Sequence, residues 1–164
     1  MTVRRLRADE VALVKTLRLR ALAGAPDAFA HTHAEIRAKP DSYWLELIRS
    51  VTEPGRHAMF VAQLADTPVG MAFGLIDVEH PARAHLGGMW VDPAARGRGV
   101  GRALCDAVIA WARERGLVDI VLSVTEGNTT AQALYERQGF ALTGRRGAHP
   151  HNPSLAILYM ERSL

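Results

Sequence analysis

The chain is predicted to adopt an α/β (α+β) fold, a mixed sheet of six to seven strands flanked by about four helices. Three observations carry this. Apolar runs at His57 to Ala65 and Pro68 to Val78 flank a short turn, as in an antiparallel pair. The run Ala84 to Val91 leads through a glycine-arginine turn into a helical pattern beginning at Val100, a strand-to-helix junction. Beyond it, two further apolar runs alternate with a short helix.

In chain order, a strand at Val3 to Arg7 leads into a helix from Asp9 to Ala23. Val11, Val14, Leu17, Leu19 and Leu22 are its apolar set, and Asp9 is its expected N-cap. Gly24 to Gly55 is less regular, broken by Pro26, Pro40 and Pro54, with one helix over Ser42 to Ser50 that turns Trp44, Leu47 and Ile48 to the core. The hairpin strands follow, joined through Asp66-Thr67-Pro68, then a polar loop through Glu79, His80 and Pro81. Gly87-Gly88 inside the next strand marks a bulge or a close approach by another backbone. The helix from Val100 to Arg115 shows Val100, Leu104, Val108 and Trp111 on one stripe and stops at Gly116. A buried strand at Val118 to Thr125, a helix at Asn128 to Arg137 and strands at Phe140 to Arg145 and Leu155 to Glu161 complete the order. No repeat or long linker divides the chain, so residues 1–164 are expected to form a single domain.

Composition narrows the functional classes. A net charge of +3 at pH 7 suits an anionic ligand, yet no basic stripe with interleaved aromatics points to nucleic acid. The lone cysteine, Cys105, permits no intramolecular disulfide and reads as a half-buried helix residue rather than a nucleophile. Without an apolar N-terminal segment or a long uncharged run, the chain is expected to be soluble and cytoplasmic, with no membrane partner. His149-Pro150-His151 lacks a third spaced ligand and reads as an exposed loop, so no metal is expected.

The chemistry concentrates at Arg96-Gly97-Arg98-Gly99-Val100-Gly101-Arg102. The first turn of a helix has backbone N–H groups without internal acceptors and the positive end of the helix dipole. Glycines admit positive φ and let an anion approach the backbone, while Arg96, Arg98 and Arg102 add forked donors. The spacing is not that of a nucleotide P-loop, because no Lys-Ser or Lys-Thr follows the glycines. A dinucleotide fingerprint would need glycine in place of Arg102. The turn by itself defines a polyanion site.

Two motifs together resemble the GNAT superfamily of acetyl-CoA-dependent N-acetyltransferases. Arg96, Gly99 and Gly101 fill its [QR]-x-x-G-x-[GA] motif behind Val91-Asp92-Pro93. Asn128, Ala131, Leu134, Tyr135, Gly139 and Phe140 fill N-x-x-A-x-x-L-Y-x-x-x-G-F at every specified position. The resemblance implies a sheet splayed between its fourth and fifth strands, with acetyl-CoA as acetyl donor. It puts the pyrophosphate on the turn from Arg96 to Arg102 and the pantetheine along Met89 and Val91, with the Met89 N–H as donor to the thioester carbonyl. Asn128 is implied as a pantetheine contact as well as a helix N-cap, and Tyr135 as the general acid. His85 occupies the strand position where some members carry a glutamate base, and imidazole, with a pKa near 6.5, suits that task. Glu126, Asp77, Glu79 and His80 are lesser candidates.

The expected activity is direct acetyl transfer to a primary amine, small or on a protein or peptide, with a homodimer left open. The acceptor is expected against Gly24 to Gly55, the loop near Glu79 and Arg145 to Ser154, where Asp27, His31, His33, Tyr43, Trp44, His149 and His151 are available. The alternative is a non-catalytic acetyl-CoA-binding module of the same fold, which would need no Tyr135.

Overall fold

The computed structural model describes residues 1–164. Seven strands form one sheet: β1 (Thr2–Arg5), β2 (His57–Leu64), β3 (Thr67–Ile76), β4 (Arg83–Val91), β5 (Asp119–Thr125), β6 (Ala141–His149) and β7 (Asn152–Ser163). Their order across the sheet is β1-β2-β3-β4-β5-β7-β6. Every neighbouring pair is antiparallel except β4 and β5, which run parallel. Five helices complete the fold: α1 (Val11–Gly24), α2 (His33–Arg37), α3 (Asp41–Thr52), α4 (Val100–Glu114) and α5 (Thr129–Arg137). None is long and apolar enough to cross a membrane.

Helices cover both faces of the first half of the sheet, so its strands are apolar on both sides. Along β2, Ala58, Phe60 and Ala62 join one core with Leu104, Val108 and Trp111 of α4. The alternating Met59 and Val61 join a second core with Val14 and Leu17 of α1, Ile36 of α2 and Trp44 of α3. Helix α4 sits close because the sheet is bare beneath it. A Cβ at Gly74 would lie 2.6 Å from the Trp111 ring.

Strand β4 changes sides partway along. Ala84 and Leu86 belong to the α4 core, whereas Trp90, of the same parity, belongs to the α1–α3 core. The register explains the switch: Phe73 faces Gly87 but Met71 faces Trp90, so β4 has one extra residue there. Gly88 takes it up with a φ of +58°. Parity is inverted beyond the bulge, and Met89 and Val91 now pack toward the α4 core. The parallel pairing of β4 with β5 ends at His85 opposite Val121, while β5 continues along β7 to Thr125. The sheet is therefore splayed between its fourth and fifth strands.

Several local expectations are corrected. Helix α1 starts at Val11, and Asp9 does not cap it: its carboxylate meets Arg7 at 3.4 Å, while Glu10, the N-cap residue, is held by Arg4 at 2.7 Å. Helix α2 is additional, started by a Thr32–Glu35 capping box. The hairpin turns at Ala65-Asp66, both at positive φ, rather than through Pro68, which lies within β3. β6 and β7 are nine and twelve residues long, running beyond the expected ends at Arg145, Leu155 and Glu161 to His149, Asn152 and Ser163. Within His149-Pro150-His151, Pro150 and His151 form an exposed turn as expected, but His149 is buried, 4% exposed. Cys105 is fully rather than half buried.

At Gly88 a Cβ would lie 2.6 Å from Phe73 Cδ2 on a left-handed backbone. Gly88→Ala should destabilise the fold by about 2–4 kcal/mol through overpacking and strain, read as a lower urea midpoint at unchanged slope. A midpoint equal to wild type would contradict the assigned bulge.

Candidate active site

The splay opens a cleft of about 940 Å³ between the end of β4, the first turn of α4, one side of α5 and the segment after α1. Its floor is Met89, Trp90 and Val91. The Asp92 N–H donates to Val69 on β3 at 2.8 Å. Alternation along the strand then turns the Met89 and Val91 N–H groups away from β3, toward the gap. Neither residue has a β5 partner.

At the end of β4 the Asp92 carboxylate accepts from the Ala94 N–H, closing a short turn over Pro93–Ala95. Buried Ala95 anchors that turn, and Arg96 leaves it extended, its Nε 3.4 Å from the Val91 carbonyl. Gly97 and Gly99 follow at φ of +73° and +78°, and a Cβ on either would meet nothing within 4 Å. No side chain caps α4, whose N-cap is Gly99, and its first backbone bond to that residue comes from the Ala103 N–H. The amides of Val100, Gly101 and Arg102 thus face the cleft end without helical acceptors.

Arg96, Gly97, Gly99, Val100, Gly101 and Arg102 all line the cleft; Arg98 is exposed and stands outside it. Gly101 serves packing, since a Cβ there would lie 3.0 Å from Leu134 Cδ2 on α5. The arrangement can hold a pyrophosphate at the α4 terminus and an extended amide chain along β4.

Across the cleft, α5 contributes Asn128, Ala131, Leu134 and Gln138. Asn128 Oδ1 accepts from the Ala131 N–H at 3.2 Å, capping the helix. Tyr135 lies beside this stripe, not on it. It is 5% exposed, set edge-on to Phe140 at 6.0 Å, and is not a lining residue. Burial, with Cys105 nearby, pushes its phenol above the ordinary tyrosine range, so the hydroxyl stays protonated.

His85 lies where β4 and β5 part. Its Nε2 is 2.7 Å from Asp77 Oδ2, and the other Asp77 oxygen accepts from the N–H groups of Glu79 and His80. These contacts, the His85 hydrogen bond foremost, hold the Asp77 carboxyl well below the usual range. The stabilisation they supply is present above the ordinary carboxylate pKa and is lost as pH falls below it. Four residue steps along β4 lead from His85 to Met89, ~13 Å at strand rise.

On the opposite rim, Asp27 O accepts from Thr125 Oγ1 at 2.6 Å. His151 at the β6–β7 turn sets Nε2 2.5 Å from Ala30 O and 3.6 Å from Glu35. The hairpin thus reaches the segment between α1 and α2. His149 Nδ1 accepts from the His151 N–H, and its buried Nε2 has no partner. The sequence reading missed cleft-lining Phe29 and the oriented pair Asp77–His85; no spacing rule marks either. It also passed over Arg18, a charged residue within the buried α1 stripe of Val14, Leu17, Ala21 and Leu22. That interruption is a signal the sequence does contain.

The profile of the Acetyltransferase (GNAT) family matches residues 22–140, and the chain belongs to this family. A mycothiol acetyltransferase from Salinispora tropica is 37% identical over 132 residues, 76% of this chain and 39% of that protein. The chain thus spans about two fifths of the length of the mycothiol acetyltransferases it matches. A GCN5-related N-acetyltransferase from Kribbella flavida superposes with a TM-score of 0.80 at 29% identity, over 99% of this chain and 97% of its own. A Salmonella typhimurium protein solved with its cofactor acetyl-CoA shares the fold: TM-score 0.81, 19% identity, 100% and 94% covered.

Burial pushes the Cys105 thiol up to about 12. At pH 8 its thiolate fraction is about 10⁻⁴, so a disulfide reagent should label native protein only at the rate of opening. Labelling as fast as a free thiol would contradict the packing of α4.

Proposed function

We propose that the protein is an N-acetyltransferase that moves the acetyl group of acetyl-CoA directly to a primary amine. The observation that carries the reading is the continuous path from the unpaired Met89 and Val91 amides to the glycine cradle at the start of α4. It matches the two ends of CoA, amide-bearing pantetheine and pyrophosphate.

In the proposed reaction the neutral amine nitrogen attacks the thioester carbonyl carbon. A C–N bond forms, and the developing oxyanion takes a hydrogen bond from the Met89 N–H. The C–S bond breaks as the carbonyl reforms, and the thiolate takes its proton from the Tyr135 hydroxyl. The proton released by nitrogen passes through water to His85, whose distance from Met89 requires such a relay. With Nε2–H donated to Asp77, Nδ1 is the accepting nitrogen. Asn128 holds the pantetheine, while Arg96 and Arg102 neutralise the phosphates; exposed Arg98 adds charge at the mouth.

The chain works as one domain. Its lone cysteine and lack of a membrane-crossing helix suit the cytoplasm. A non-catalytic acetyl-CoA-binding module is the competing reading, and the buried position of Tyr135 away from the lining is the observation on its side.

An amine panel with acetyl-CoA, followed by CoA thiol release and product mass, separates the two. Tyr135→Phe should lower kcat by about 10²–10⁴-fold with acetyl-CoA affinity retained. His85→Gln should remove the acid limb of the pH–rate profile. Binding of acetyl-CoA without turnover on the whole panel would select the module.

A further inference from the structure

We infer that Arg18 is an acceptor-binding residue and that the acceptor amine carries a carboxylate close to its nitrogen, as a free amino acid does. This rests on the acetyl-transfer reading above and narrows its substrate class.

Arg18 differs from the paired arginines of the chain. Arg4, Arg20, Arg83 and Arg146 each meet a carboxylate. Arg18 has none: its guanidinium stands 5.5 Å from the Phe73 ring and 5.8 Å from the Phe29 ring. Its surroundings withdraw it from water and return no charge-assisted hydrogen bond. A partly buried cation without an anion is costly, and ring faces recover only part of that cost. Five N–H donors in a planar fork remain available, the geometry that binds carboxylate through two parallel bonds.

Position supplies the second half of the inference. Arg18 Nη1 lies 3.5 Å from where a Gly88 Cβ would stand, so the guanidinium rests on the β4 bulge one residue before Met89. Phe29, over which it stacks, lines the cleft. An amine attacking a thioester held at the Met89 N–H therefore approaches beside Arg18. In an amino acid the carboxylate carbon is two bonds from nitrogen, so both groups fit one residue step of the strand, about 3.8 Å. Phe29 leaves an apolar wall for a side chain. A fixed cation also disfavours acceptors that bring a second positive charge, and it favours the neutral, attacking form of the amine. A protein N-terminus or a lysine within a chain offers an amide where this site offers a fork.

The test compares an α-amino acid, its primary amide and the amine lacking the carboxyl group, all with one side chain, as acceptors for wild type, Arg18→Lys and Arg18→Gln. Wild type should prefer the carboxylate by about 100-fold or more in kcat/KM. Arg18→Gln should collapse that ratio to a few-fold, largely through KM, with Arg18→Lys between. Calorimetry of the N-acetyl amino acid against the CoA complex should show binding that Arg18→Gln loses, at a melting temperature within a few degrees of wild type. Equal use of the three acceptors by wild type overturns the inference. So does an equal loss on all three in the variants, which would put Arg18 at the thioester or in packing alone. CoA binding with no preference for carboxylate-bearing ligands overturns the inference but not the reaction; failure to bind CoA overturns both.

Discussion

The parting of β4 from β5 after His85 is the constraint on which the rest of the site depends. An open strand edge inside a sheet is unusual, because unpaired backbone amides shielded from water cost free energy. Here the gap persists because each edge is held from elsewhere. β3 pairs with β4 on both sides of the bulge, β7 pairs with β5 throughout, and α4 bridges the two halves through one apolar core. The backbone groups left over are those that the pantetheine amides of the proposed donor would satisfy.

The bulge at Gly88 converts that opening into a two-sided site. Without the extra residue, Met89 and Val91 would point into the α1–α3 core and Trp90 toward α4. With it, Trp90 packs into the α1–α3 core, and Met89 and Val91 pack toward the α4 core, on the side of the proposed donor groove. The same inversion brings a bare stretch of backbone against the Arg18 guanidinium. One glycine at positive φ thus couples the proposed donor groove, the switch of β4 between the two cores and an unneutralised cation.

The cleft-lining residues of the glycine-arginine turn and of α5 were already legible in the sequence as a candidate donor site. Its signals are local: glycines whose backbone needs are residue-specific, an arginine set, and a helix motif of fixed spacing. Gly101 is the exception, because only the approach of Leu134 shows that it serves helix packing. The acceptor side was far less legible. α2 is only five residues long, too short for a periodic pattern, and the polar stretch between Arg145 and Leu155 hides how far β6 and β7 run. The hairpin also reaches across to the segment after α1 through His151 and Ala30, residues more than a hundred positions apart.

The sequence by itself determined all seven strands and most helices, and it marked the glycine-arginine turn, through short-range preferences of glycine, arginine and apolar periodicity; two motifs of fixed spacing marked the family. Tertiary structure alone decided which face β4 presents beyond Gly88, which carboxylate orients His85, and that Arg18 on the buried stripe of α1 has no partner. Those properties depend on which distant side chains share a volume of low dielectric, and no residue spacing encodes that.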